Sequence, residues 1–414
     1  MSLSVNFPAQ RPTLNLNFAR ARQLDPRITF TRATTATYFD SSGVLQTAIA
    51  GQPRFDFSPT TGESLGLLVE EQRTNLKTYS QDILTTNGYN TASATLTAAS
   101  STTPISGVTT ATKFALNSGA DTGNSQTGWN FGSGVTLTAS TVHTQSVYVK
   151  SDGANIFRLR SNVSGQVFDI PIAGPSPSPS GAVTACSVQQ VGNGWVRISW
   201  TFTSGASGVP ATRSDYWACK SEVNDGVGGY LIVGAQLEAG AFPTSYIPTV
   251  AATVTRNADA ATMTGVNFSS WYRADEGTFQ VSFITPVTTP SGTFPVVLAA
   301  HDGTTNNRIL LSTNGFFNCR VGISTGGVSE SDYNAGSFVT ANNLAIWNLA
   351  YKTNDQAASA NGNPVQTDTS VLIPTVNQLG IGNRPGGTNC TGYIRRIAYY
   401  PVRLSNDQLQ ALTR

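Results

Sequence analysis

A nine-residue stretch near the middle of the chain, Trp195-Val196-Arg197-Ile198-Ser199-Trp200-Thr201-Phe202-Thr203, does most to constrain the fold. Its large apolar residues stand at every second position, and a period of two belongs to a β-strand that turns one face to a core. Val196, Ile198, Trp200 and Phe202 are therefore expected inside, and Trp195, Arg197, Ser199 and Thr201 on the opposite face. Val147 and Val149 alternate with Tyr148 and Lys150 in the same way. Strands of about this length recur with turn signals between them, the pattern of an antiparallel sandwich. Composition agrees. Charged residues are only 12% of the chain, and Thr, Ser, Asn and 39 Gly stand in place of the Glu, Lys, Leu and Ala that fill surface helices.

The 414 residues fit two or three domains, and the texture separates three regions. Residues 1–76 are irregular, with short strands at Leu14-Leu16-Phe18 and Pro53–Phe57 and a hairpin turn at Asp40-Ser41-Ser42-Gly43. This region has too little continuous core to stand alone, so it is expected to dock onto something else. Residues 77–248 form a series of strands, and the proline-alternating stretch Pro175–Gly181 reads as a long surface loop within it. Residues 249–414 form a second series, with a turn at Asn361-Gly362. Only the tail is helical. Ser405 can cap it, Gln408 completes a capping box, and Leu404 with Leu409 supplies a hydrophobic staple. The expected fold is all-β: two tandem antiparallel β-sandwich (jelly-roll) domains, preceded by an irregular β-rich docking segment, with one short C-terminal helix.

Several function classes find no support. No apolar run approaches the roughly 20 residues of a membrane span, and Met1–Asn15 lacks the pattern of an export signal. The net charge is +2 without a basic run, which argues against nucleic acid as a partner. Cys186, Cys219, Cys319 and Cys390 form no C-x-x-C pair and are read as free thiols; the only bridges worth considering are Cys186–Cys219 and Cys319–Cys390. His143 and His301 sit in no catalytic or zinc motif. No enzyme activity and no cofactor are expected.

Three blocks resemble segments of phage virion proteins. Leu16-Asn17-Phe18, Pro26–Ala33, Pro53–Asp56 and Leu67–Asn75 together resemble the N-terminal segment of many tail and head-associated proteins. Gly234–Glu238 with Phe242–Thr249 is similar to the closing strand and exit of a carbohydrate-binding-module-like jelly roll. Gly392–Tyr400 with Leu404–Leu409 looks like the end of a concanavalin-A-like, laminin-G-type sandwich. The resemblance implies a structural component of a bacteriophage particle, located in the virion and assembled in the host bacterial cytoplasm. Its partners would be other virion proteins, further copies of itself (a trimer is favoured) and a host surface glycan or pilus. A tail-associated receptor-binding protein is the leading reading, and a capsid decoration protein the alternative. The chain carries no long coiled or β-helical shaft, so a compact body is expected.

Candidate sites follow. Trp129, Tyr148, Trp195, Tyr216 and Trp217 lie near turns or on strand faces assigned away from the core, where aromatic rings could stack on sugars; otherwise they pack in the second sheet or at a contact. Trp271 and Tyr272 are read as domain-interface residues. Arg27, Arg32, Arg54 and Arg73 with Glu70 and Glu71 are read as guanidinium–carboxylate pairs that dock the N-terminal region. Asp302 and Asn306, with Asn307, offer oxygens to calcium, but Asp-Gly and Asn-Asn are turn formers and no metal is expected.

Overall fold

The structure, a computed structural model, describes residues 8–87, 89–118, 128–130, 135, 137–161, 167–180, 183–205, 215–219, 225–286, 294–314, 318–337, 342–387 and 389–414. It is almost entirely antiparallel β-structure. No helix among the described residues is long and apolar enough to cross a membrane.

The first sandwich packs a six-stranded sheet on a five-stranded one. The larger sheet runs Val183–Gln190, Trp195–Thr203, Val142–Asp152, Gly229–Ala239, Thr110–Leu116, Ala94–Ser100. The smaller runs Val167–Pro171, Ile156–Ser161, Asp215–Cys219, Gly128–Asn130, Asn90–Ala92. Alternation places Val196, Ile198, Trp200 and Phe202 in the core between them, with Trp200 5.9 Å from the Phe157 ring. Residues 175–180 cross from one sheet to the other without secondary structure, as the prolines require.

The opposite face of strand Trp195–Thr203 is buried too, which corrects three expectations. Trp195 and Tyr148 are fully enclosed in a second, smaller core with Phe39, Leu45, Ile105 and Tyr246. Arg197, expected outside, is buried, and donates to the Ser146 hydroxyl at 2.9 Å and the Thr244 carbonyl at 2.8 Å. Period two identifies which residues share a face; it does not say whether a more distant part of the chain covers that face. Here the hairpin Ala36–Phe39/Leu45–Ala48 and the segment 242–249 cover it.

The second sandwich is made from both ends of the chain. Strand Gly392–Tyr400 pairs on one side with Glu276–Ile284. Its other side is filled by two N-terminal strands, Ser64–Val69 at its beginning and Leu14–Asn17 at its end. In the opposing seven-stranded sheet, Thr29–Thr31 pairs with Ala260–Thr264. Leu14, Leu16, Phe18, Leu67 and Val69 thus enter the same core as Phe279, Trp347 and Ile397. The N-terminal region docks within its own chain: these strands join the sandwich of residues 260–400, while the hairpin Ala36–Phe39/Leu45–Ala48 covers the first sandwich. A symmetry mate is not needed to cover those side chains, so that route to an obligate trimer falls away. The chain leaves this body at Asn75, forms the first sandwich, and returns through Val254–Arg256, which pairs with Arg73–Asn75.

Trp271 and Tyr272 are not at an interface; they pack with Phe268, Phe279 and Tyr399 into the second core. Asn361 and Gly362 both take positive φ, 50° and 74°, at the turn after Gln356–Ala360. The tail helix Asn406–Leu412 carries the capping box at Ser405 and Gln408, and both Leu404 and Leu409 are buried. Cys319 and Cys390 are buried and unbridged, Cys186 is unbridged, and the side chain of Cys219 lies outside the described residues.

Candidate functional site: a buried ionic joint

In a chain so poor in charge, the largest concentration of buried charge marks the place where the fold commits its chemistry. Strand Arg54–Phe57 turns its charged residues inward: Arg54 and Asp56 are buried while Phe55 and Phe57 are half-buried. Arg54 donates to Glu70 Oε2 at 2.6 Å, to the Thr37 carbonyl at 3.0 Å, to the Ser245 hydroxyl at 2.9 Å and to Asp259. Asp259 also accepts from Arg32 at 3.0 Å and from the Glu70 backbone N–H at 2.9 Å. Arg32 reaches the carbonyls of Thr34, Ile49 and Gln52. Arg256 lies 3.4 Å from Glu70 and donates to the Glu71 carbonyl at 2.8 Å. Three guanidinium groups therefore surround two carboxylates, all nearly inaccessible to solvent.

The cluster also fastens the first sandwich. Glu70 accepts the Ser245 N–H at 2.7 Å and its hydroxyl at 2.6 Å. Asn75 donates to the carbonyls of Ala235 (3.1 Å) and Ile247 (2.9 Å) and accepts the Leu237 N–H at 3.1 Å. Glu238 accepts from Gln236 and twice from Thr244, closing segment 242–249 onto its own strand. The guanidinium of Arg73 pairs with Glu71 and lies 4.9 Å from the Phe242 ring centre. At Gly240, with φ 138°, a side chain would be strained, and its Cβ would displace that guanidinium.

The electrostatics follow from this geometry. Burial works against the Glu70 charge, but Arg256 and Arg54, with Ser245, outweigh it and hold the carboxyl at about 2. Asp56 goes the other way. Burial lifts it to about 7, although the N–H groups of Phe39 (2.5 Å) and Phe57 (3.1 Å) and the charge of Arg54 favour its ionised form. For Arg54, Asp259 and Glu70 overcome the effect of burial and raise the guanidinium above its ordinary value.

Of the residues picked from sequence, Arg32, Arg54, Glu70, Glu71 and Arg73 come together here. Arg27 does not; it pairs with Asp25, two residues away, at a partly exposed position where such a pair contributes little. Arg256, Asp259 and Ser245 were missed, although Arg256 and Asp259 stand close together where the second strand series begins.

Two of the five residues expected in a sugar site are withdrawn from it. Trp195 and Tyr148 are enclosed, and the Trp195 Nε1–H donates to the Thr102 carbonyl at 2.8 Å. Trp129, Tyr216 and Trp217 lie on strands Gly128–Asn130 and Asp215–Cys219 of the five-stranded sheet, with Trp129 opposite Trp217; their side chains lie outside the described residues. Asp302 gives its carboxylate to Thr304 and Asn307, and the Asn306 backbone serves the same loop through Thr304 and Gly327, which is turn chemistry. Among the described residues no three metal-ligating side chains converge.

No family model and no curated protein matches the chain. Solved structures that resemble it include parts of sialidases. The CBM40 of Ruminococcus gnavus IT-sialidase bound to α2,3-sialyllactose is 20% identical, over 34% of this chain and 83% of that one, with a TM-score of 0.29. The NanB sialidase of Streptococcus pneumoniae is 14% identical, over 37% of this chain and 26% of that one, with a TM-score of 0.30. A Trypanosoma rangeli sialidase mutant displaying trans-sialidase activity is 15% identical over the same shares, with a TM-score of 0.29.

Proposed function

We propose that this chain is a non-catalytic structural component of a bacteriophage particle, a tail-associated protein that presents its sandwiches to a host surface structure. One observation carries the reading. The three blocks that resemble phage virion segments are built into one another: Leu67–Asn75 bonds to 234–249, and Gly392–Tyr400 pairs with strands Ser64–Val69 and Leu14–Asn17. The most concentrated buried charge in the described chain closes this joint instead of lining a cleft. A body locked in this way suits a part that bears load and holds its sheet faces in fixed orientation.

The test is position in the particle. Gold-labelled antibody against the chain is expected on the tail, and the purified protein is expected to slow adsorption of the phage to its host. Label confined to the head, with adsorption unchanged, would replace this reading with capsid decoration.

A further inference from the structure

The outward face of the seven-stranded sheet gathers hydrogen-bond donors that the joint does not use. Ile309, Leu311, Val321, Ile323 and Ala300 point into the core, so Arg308, Arg320 and His301, of opposite parity, stand on the other face. His301 lies opposite Arg308, and Arg320 opposite Ser312. The loop after Gln378–Ile381 folds back over the same face, where Gly380 leaves no room for a Cβ beneath the Asn383 main chain, and so brings Asn383 and Arg384 there.

Acceptors are scarce. His301 Nδ1 accepts the Gly303 N–H at 3.0 Å, which puts the ring proton on Nε2. That Nε2, the Asn383 amide nitrogen and the Arg384 Nε are buried and meet no acceptor among the described residues. Arg384 and Arg308 otherwise donate to the carbonyls of Pro385 and Thr305 in their own loops. Asp332 is the one carboxylate paired with these three guanidinium groups among the described residues, and it pairs with Arg320. Asp302, nearby, is occupied by Thr304 and Asn307. The arginines sense one another: besides burial, Arg320 lowers the proton affinity of Arg308, and both lower that of Arg384. Beside them Phe294, 44% exposed, lies with its ring centre 4.4 Å from the Arg320 guanidinium.

Guanidinium forks with unmet donors select a planar oxyanion, and an exposed ring at their edge suits the apolar face of a sugar. We propose that this face binds an acidic saccharide, its carboxylate held by Arg308 and Arg384 with His301 and Asn383, and its ring against Phe294. The site is a property of the isolated chain and holds wherever the chain sits in a particle. The virion-labelling experiment and this one therefore fail separately.

The experiment is calorimetric titration of the full chain with oligogalacturonate, with a neutral oligosaccharide of the same length and with inorganic phosphate. Binding of the uronate at up to millimolar concentration is expected, weakening as salt is added, with none for the neutral sugar. Arg308→Gln and Arg384→Gln should each weaken it about tenfold or more. No uronate binding, equal binding of the neutral sugar, phosphate binding without the uronate, or unchanged affinity in the double variant would each overturn the proposal. If a variant fails to fold, amide shifts on the wild type decide: the uronate must move Gly303 and Gly386, and shifts confined elsewhere sink the idea.

Discussion

Asp259→Asn is the sharpest probe of the joint. The change keeps size and shape but removes the carboxylate that accepts from Arg32, from Arg54 and from the Glu70 backbone. Three buried guanidinium groups would then face the single charge of Glu70, and the new amide would present N–H donors to donors already there. Removing one partner of a buried ion pair costs about 3–5 kcal/mol, chiefly because the remaining charge is left uncompensated. For a chain of 414 residues unfolding as one body that corresponds to a fall in Tm of roughly 3–6 °C. The assay is thermal and denaturant unfolding of the full chain, with Asp259→Asn, Arg54→Met and the double variant forming a cycle. The double variant should recover on the order of 1 kcal/mol or more relative to additivity, because it removes one charge of each sign. A loss under about 1 kcal/mol for Asp259→Asn, or strict additivity, would mean that water reaches the cluster and that it does not hold the two sandwiches.

Three further outcomes are expected. Two groups in the joint give stability opposite pH slopes: Glu70, held down at about 2, contributes stability that is lost as pH falls from about 4.5 toward 2, whereas Asp56, lifted to about 7, contributes stability that is lost as pH rises from about 4 to 7. Asp56→Asn should therefore gain on the wild type across that second window in pH-dependent unfolding, and a pH-independent difference would contradict the assignment. Trp200→Ala, in the first core, should cost about 3–5 kcal/mol in denaturant unfolding, and a cost under about 1 kcal/mol would place the ring outside that core. Residues 76–414 alone should lose the second sandwich, since Ser64–Val69 and Leu14–Asn17 cover one side of Gly392–Tyr400; a fully protected Ile397 amide in hydrogen exchange of that fragment would refute the interleaving.

The class of fold and the inner face of strand Trp195–Thr203 were legible because both rest on local chemistry: period two, turn residues and a capping box act within a few positions. What could not be read from sequence is what covers a face from far along the chain. Trp195 and Tyr148 looked like exposed platforms since nothing near them in sequence hides them, yet Phe39 and Leu45, more than a hundred positions earlier, do so. The same distance hid Asp259 from Arg54 and Arg32. The strand at Arg54–Phe57 shows why hydrophobicity alone misleads here. Its aromatic residues are half-buried and its charged residues fully buried, because charged groups can occupy an interior where guanidinium groups and carboxylates meet and the carboxylates find donors. In a chain with so few charges, buried opposite charges are therefore a sign of long-range closure, and the arginines left without a carboxylate are the ones to examine for a ligand.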